Sequence, residues 1–377
     1  MVSPQFKKFE LMVTGTDRFY VKSGEEKYLD FSGSGMTTGY DFFSTLDISP
    51  VSSLVFKNRF TETFTEMLRK ASGFEKVAYT TSGTEACDMA LSRYGLPVVS
   101  LEGAYHGRTY LTYLVSNGHG IDYDNRIVHL RVPKSPDEEL PVKEYNESIM
   151  EKAAGSWDFH GKPLIIELIQ SDGGVIVLSE EFIRHLKNLS GKYGLRIIVD
   201  EVYTGFGRSG EMFLFRKHDL VPDMVCTGKG MAAGLPIGAV LYNGSWDRPF
   251  GDVLGMQGGN AACASVGINV MKALTEDQMI RVREMGMLAV TRLRKIRNQR
   301  ILEVRGRGFM IGADLSGGGD DGTEYAYGVR DLLSKEGVIC SLVGEKNNVL
   351  KITPPVLIDE RTFMHGLAKI EKALTEI

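Results

Sequence analysis

A chain of 377 residues with 44 basic and 48 acidic side chains, net charge -4, is too long for one small core and offers no basic field for nucleic acid or an anionic membrane. Its four cysteines (Cys87, Cys226, Cys263, Cys340) show no CxxC spacing, which argues against a zinc site or a disulfide framework and fits a reducing compartment. No run approaches ~18 apolar residues and MVSPQFKKFE has no apolar signal core, so a soluble cytoplasmic protein is expected.

The first ~45 residues alternate short β-prone runs (RFYVKS, KYLDF) with turns and read as a small meander. From about 51, SSLVFKNRFTETFTEMLRKASG has apolar residues at helical spacing and ends on a glycine, which predicts a helix. KVAYTTS then reads as a strand and GTEACDMALSRYG as a helix, and the alternation repeats. PVVSLEG, PLIIELIQ, LRIIVDEV, DMVCTGKG and PIGAVLYN read as strands, with SEEFIRHLKNLSGKYG as a helix. Strands that are apolar without alternation are buried on both faces, and intervening helices imply parallel crossovers. From about 261 the composition shifts to an α+β pattern. AACASVGINVMKAL and EDQMIRVREMGMLAVTRLRKIRNQ read as helices, ILEVRGRGFMIGADL as strand-like, YAYGVRDLLSKEG as a helix, VLKITPPVLI as a strand, and a last helix starts near Asp359.

The 43 glycines cluster between apolar runs (SGSG near 32, SGT at 82, GFGRSG at 205, TGKG at 227, QGGN at 257), as they do where ligands meet backbone turns. Ser82, Gly83 and Thr84 stand at a strand-to-helix junction, which is either an ordinary N-cap or an anion site. Asp200 ends the buried run LRIIVD and points into the crevice where open sheets bind ligands; a cationic ring nitrogen, a metal or a structural ion pair would each satisfy it. Lys229, between Gly228 and Gly230 at another strand end, reads as a desolvated but reachable nucleophile, or as a surface lysine. Gly205–Gly210 matches G-x-G-x-x-G, but no carboxylate lies between Asp223 and Asp247 to bind a ribose, so it reads as a turn-rich loop.

Taken together, TTSGTEA, AYHGRT, IVDEVYTGFGRSG and TGKGMAAGLPIGA, continued by QGGNAAC, VRGRGFMIG and ITPPVLI, resemble the class III, fold-type I pyridoxal-phosphate aminotransferases, among them the 4-aminobutyrate, ornithine and acetylornithine enzymes. The resemblance implies an α/β fold: a large, mostly parallel-sheet domain over residues 46–265 and a small α+β domain over 266–377 joined by residues 1–45. It also implies at least a homodimer. Lys229 is then the Schiff-base lysine and proton shuttle, and Asp200 the partner of the pyridinium nitrogen. Val202 packs on the ring, and Ser82, Gly83 and Thr84 cradle the phosphate. Tyr105 stacks on the other ring face, with His106 beside it in a packing or supporting role. Arg108 resembles an arginine that grips a substrate carboxylate, and Glu167 an acid that lines the pocket.

Three positions depart from the family. Tyr203 replaces a glutamine near the ring hydroxyl. Met256 aligns with a phosphate threonine offered by the neighbouring subunit, leaving Gln257 or backbone N–H groups as donors. Lys351 replaces the arginine for an α-carboxylate, opposite Asp172 in place of glutamate, and loses bidentate recognition. An amino-acid, ω-amino-acid or amine donor and a 2-oxo acid acceptor are expected; a racemase, epimerase or aminomutase on the same scaffold is the alternative.

Overall fold

The computed structural model describes residues 13, 15–32, 39, 57–116, 124–244 and 255–376. Strands β1 (Gly15–Asp17), β2 (Tyr20–Ser23) and β3 (Glu26–Asp30) form the expected antiparallel meander. Helix α1 (Arg59–Ser72) starts later than its apolar spacing suggests, because the Asn58 side chain accepts the Thr61 N–H at 2.9 Å and caps it there; residues 51–56 of that expectation lie outside the described residues.

The chain continues through β4 (Lys76–Thr80), α2 (Gly83–Tyr94), β5 (Val98–Leu101), α3 (Tyr110–Val115), β6 (Ile127–Leu130), α4 (Glu139–Ala154), β7 (Pro163–Ile166), β8 (Ile169–Gln170), β9 (Ile176–Val177), α5 (Glu180–Tyr193), β10 (Arg196–Asp200), β11 (Met224–Thr227) and β12 (Gly238–Tyr242). Seven of these strands make one sheet, in the order β4-β12-β11-β10-β7-β5-β6. From β11 to β6 every pairing is parallel, whereas β12 runs antiparallel to both β11 and β4. The reversal has a local cause. Residues 228–237 carry one 3₁₀ turn and no α-helix, and a parallel crossover needs a dozen or more residues. PLIIELIQ, expected as one strand, breaks at Glu167: β7 stays in the large sheet and β8 pairs with β9 instead.

The remainder is α6 (Ala261–Ala273), α7 (Glu276–Leu293), β13 (Glu303–Arg307), β14 (Met310–Asp314), α8 (Thr323–Lys335), β15 (Val338–Ile339), β16 (Ser341–Val343), β17 (Val349–Ile352) and α9 (Glu360–Glu376). Helix α7 stops short of the expected 299. The Asn298 amide donates to the Tyr325 hydroxyl at 2.7 Å and the Leu374 carbonyl at 2.8 Å, and these tertiary bonds hold the following residues in turns. ILEVRGRGFMIGADL folds as a hairpin of β13 and β14, within an antiparallel sheet β13-β14-β17-β16. β3 pairs in parallel with β15, so the two ends of the chain are joined in one sheet, as the α/β reading required.

This topology concentrates chemistry on one edge. Ser82 follows β4, Tyr105 follows β5, Glu167 follows β7, Asp200 ends β10 and Lys229 follows β11. All lie at the carboxyl ends of the parallel strands, where open α/β sheets bind ligands.

Candidate active site

Helix α2 opens with a capping box. Ser82 Oγ accepts the Glu85 N–H at 3.1 Å, and Glu85 reaches back to the Thr81 N–H at 2.8 Å. The ordinary N-cap reading is therefore correct, and it is compatible with the anion reading, because the N–H groups of Gly83 and Thr84 fall in the first turn where no intrahelical acceptor exists. The junction is closely packed. A Cβ on Gly83 would come within 2.4 Å of Val202 Cγ1, and one on Gly228 within 3.0 Å of the Gly83 backbone. Both positions need glycine for close approach, and Val202 is thereby placed against the start of α2.

Asp200 is buried and held by three donors. The Val202 N–H meets Oδ1 at 2.9 Å, His106 Nδ1 meets Oδ2 at 2.8 Å, and the Cys87 thiol meets Oδ2 at 3.3 Å. His106 Nδ1 carries the proton if Asp200 is a carboxylate, and His106 Nε2 is buried with no hydrogen-bond partner among the described residues. His106 therefore lies directly against the Asp200 carboxylate. Cys87, His106 and Asp200 also bring three metal-ligand types within 4.8 Å of one another. Cys87 was not singled out as a site residue in the sequence, although its place three residues after Thr84 puts it on the same helix face.

Tyr105 is half-buried, and its N–H donates to Glu167 Oε2 at 2.9 Å. Burial raises the Glu167 carboxyl to about 7, against the opposing pull of His106 and of the Tyr105 N–H. The folded chain therefore binds this proton more tightly than the unfolded chain does. The stability gained is complete below the unfolded value of 4.5 and is lost as pH rises through about 7. Thermal denaturation of Glu167→Gln at pH values on either side of that range should show a smaller fall in stability with rising pH than the parent, by on the order of 2 kcal/mol. The slope that remains belongs in part to buried Glu201, which burial also raises to about 7.

Lys229 differs from its expectation. Gly228 and Gly230 are buried, but the Lys229 side chain is exposed in the cleft rather than desolvated. Its backbone has φ 43, a left-handed conformation that costs a non-glycine residue about 1 kcal/mol and that collects at functional sites. It stands at the start of the 3₁₀ turn that joins β11 to the antiparallel β12. Its Nζ lies 4.1 Å from the centre of the Tyr203 ring.

Three cationic side chains converge on Tyr203. Lys351 Nζ is 4.9 Å and the Arg208 guanidinium carbon 6.0 Å from its ring centre, alongside Lys229. Burial pushes the Tyr203 phenol up, but Lys351, Arg208 and Lys229 together outweigh it and the net displacement is downward. Lys351 is buried on β17 and reaches across to the β8–β9 turn, where its Nζ lies 3.2 Å from Ser171 Oγ and 3.5 Å from Asp172 Oδ1. Burial pulls this ammonium down, but Tyr203 and Asp172 raise it further, so it stays charged. The proposed Asp172–Lys351 pair is thus brought together. Ser171, and Thr353 at 3.5 Å from the Tyr203 hydroxyl, were not anticipated; only adjacency to Asp172 and Lys351 hinted at them.

Arg108 is exposed, with its guanidinium 5.9 Å from the Tyr105 ring centre. Met256 and Gln257 are exposed on the turn before α6, which is anchored by the Thr61 hydroxyl donating to the Gly259 carbonyl at 2.8 Å. The GFGRSG segment is a buried loop whose amides bond inward: Phe206 N–H to the Met212 carbonyl, Gly207 N–H to Glu211, and Gly210 N–H to Gly207. Arg208 is buried and donates to the carbonyls of Phe309 and Pro354. A dinucleotide phosphate would find these donors already taken, in agreement with the turn-rich reading.

Comparison with known proteins gives the same answer as the geometry. The class-III aminotransferase family matches residues 45–374. The 4-aminobutyrate aminotransferase of Mycobacterium leprae (strain TN) is 32% identical over 343 residues, covering 82% of this chain and 76% of the relative. The acetylornithine aminotransferase of Methanopyrus kandleri is 33% identical over 308 residues, covering 79% of this chain and 74% of the relative. A phospholyase from Arthrobacter, solved in complex with phosphoethanolamine, shares the fold with a TM-score of 0.86 at 22% identity, covering 100% of this chain and 97% of that one. With the family matched over nearly the whole sequence and the chemistry gathered at one sheet edge, the chain belongs to the class-III aminotransferases, enzymes that move amino groups with pyridoxal phosphate.

Proposed function

We propose that this enzyme transfers the amino group of an amino acid, an ω-amino acid or an amine to a 2-oxo acid at the cleft between Asp200 and Lys229. The observation that carries the assignment is the pairing of a buried carboxylate that has three donors but no lysine or arginine among them with an exposed, strained lysine one strand away. That pairing fits pyridoxal phosphate, whose protonated ring nitrogen is the cation Asp200 needs. When bound, the cofactor supplies an electrophilic carbonyl carbon and an electron sink for the carbanion at the donor carbon.

The chain's residues then divide the work. Lys229 would hold the cofactor covalently through Nζ, and the same amine would serve as the group that carries a proton away from the donor carbon and back. Asp200 would fix the positive charge on the ring nitrogen. Gly83 and Thr84 N–H groups, with the Ser82 cap, would hold the phosphate at the α2 N-terminus. Val202 and Tyr105 would pack against the ring, and the Tyr203 hydroxyl would serve the ring hydroxyl. Borohydride reduction followed by peptide mapping should place the cofactor mass on Lys229; a mass on any other lysine contradicts the assignment.

Lys351, with Arg108 at the mouth and Glu167 lining the wall, sets substrate choice. A buried ammonium tied to Ser171 and Asp172 is a point charge for a substrate carboxylate, and Asp172 covers it when a neutral donor binds. Lys351→Met should raise KM for 2-oxoglutarate or pyruvate about tenfold or more with a smaller change in kcat, while Lys351→Arg keeps most of the affinity. Steady-state kinetics over a panel of donors against both acids checks this, and equal loss with a carboxylate-free amine donor would count against it.

The exposed Met256 and Gln257 are read as facing the phosphate site of a second copy, in at least a homodimer. The four cysteines, all buried free thiols, favour a reducing, cytoplasmic setting. The large domain is taken as 46–265, with 1–45 and 266–377 forming the small one. Among the described residues no helix is long and apolar enough to cross a membrane.

A further inference from the structure

A carboxylate offers roughly four lone-pair positions to donors. At Asp200 this chain fills three of them: Oδ2 takes both His106 Nδ1 and the Cys87 thiol, and Oδ1 takes the Val202 N–H. One position is left, on Oδ1. We propose that Cys87 is a positioning residue, whose thiol closes the Oδ2 side of Asp200 so that the carboxylate presents a single vacancy to the cofactor's ring nitrogen. The inference rests on the assignment of Asp200 to that nitrogen.

Several features make Cys87 a dependable donor. It lies on α2 three residues after Thr84, so the helix whose first turn faces the phosphate also fixes the carboxylate at the other side of the cofactor. It has no solvent exposure, and Cys226, which pairs in register with Asp200 on the neighbouring strand, backs it. The neighbouring Cys226 thiol, burial and the nearby Asp200 charge all push its thiol well above the ordinary range. Cys87 therefore keeps its proton and donates it. Hydrogen bonds to a carboxylate stabilise its charged form, and a buried carboxylate oxygen with a donor removed is costly. Without the thiol, Oδ2 has an open position and the carboxylate's rotation is less restricted.

The test uses the full chain stripped of cofactor and measures the affinity of two probes: pyridoxal phosphate, and its carbon isostere with C–H in place of the ring nitrogen. Cys87→Ala should bind pyridoxal phosphate about tenfold more weakly while binding the isostere as well as the parent does, and Cys87→Ser, which keeps a donor, should restore the difference. Unchanged isostere binding also reports that the variant is folded. If Cys87→Ala weakens both probes equally, or neither, Cys87 only packs and the proposal fails. If the parent itself does not distinguish the two probes, the assignment of Asp200 to the ring nitrogen fails, and this inference with it.

Discussion

Lys229→Ala abolishes turnover: kcat falls by about 10³-fold or more, and borohydride no longer fixes cofactor to the chain. The size of the effect follows from two roles in one side chain. In the proposed mechanism Lys229 is both the covalent anchor and the acid–base group that moves the proton, and no neighbour is assigned either role. Lys351, whose Nζ lies 4.9 Å from the Tyr203 ring centre, is tied to Ser171 and Asp172. The variant should fold normally, because Lys229 is exposed and alanine keeps the same Cβ at φ 43, so no new backbone strain is added. Pre-steady-state measurement of each half-reaction separates this from a loss of cofactor binding. Full turnover in Lys229→Ala would overturn the mechanism.

Asp200→Asn should lower kcat by about 10²–10³-fold, with a weakened but measurable affinity for the cofactor. Asparagine preserves shape: its oxygen still accepts the Val202 N–H, and its amide can face His106 Nδ1 in the other tautomer. What it removes is the negative charge opposite the ring nitrogen, in a site where burial makes that charge count. The expected signature is a slow proton-transfer step with the donor KM little changed. A kcat within a few-fold of the parent would show that Asp200 has another purpose. Asp200→Ala is a poorer probe, since it leaves the His106 ring N–H and the Val202 N–H buried without an acceptor.

Much of the fold was legible because its elements carry two strong local signals. Apolar runs without alternation marked β5, β7, β10, β11 and β12 as buried strands. Caps and terminal glycines marked α2 and α5, where Ser82 and Ser179 cap the starts and Gly95 and Gly194 end the helices. Elements with weaker signals were passed over. α4 is polar on most of its surface, the short α3 has only six residues, and the apolar run of β6 is interrupted by His129.

By itself the sequence determined the order of the chemistry-bearing residues and the strand ends they occupy, since both depend on local periodicity and on glycine positions. Ser82–Thr84, Asp200 and Lys229 were identifiable for that reason. The tertiary structure alone decided what meets what. It put the Cys87 thiol and the His106 ring on the Asp200 carboxylate, across 113 and 94 residues of chain. It brought Lys351 to Ser171 across 180 residues, and it left Lys229 exposed. Such contacts come from strand order and sheet-to-sheet approach, which leave no periodic trace in the residues themselves. The lysine proposed to start the chemistry stands out in the sequence, whereas the groups that set its surroundings do not.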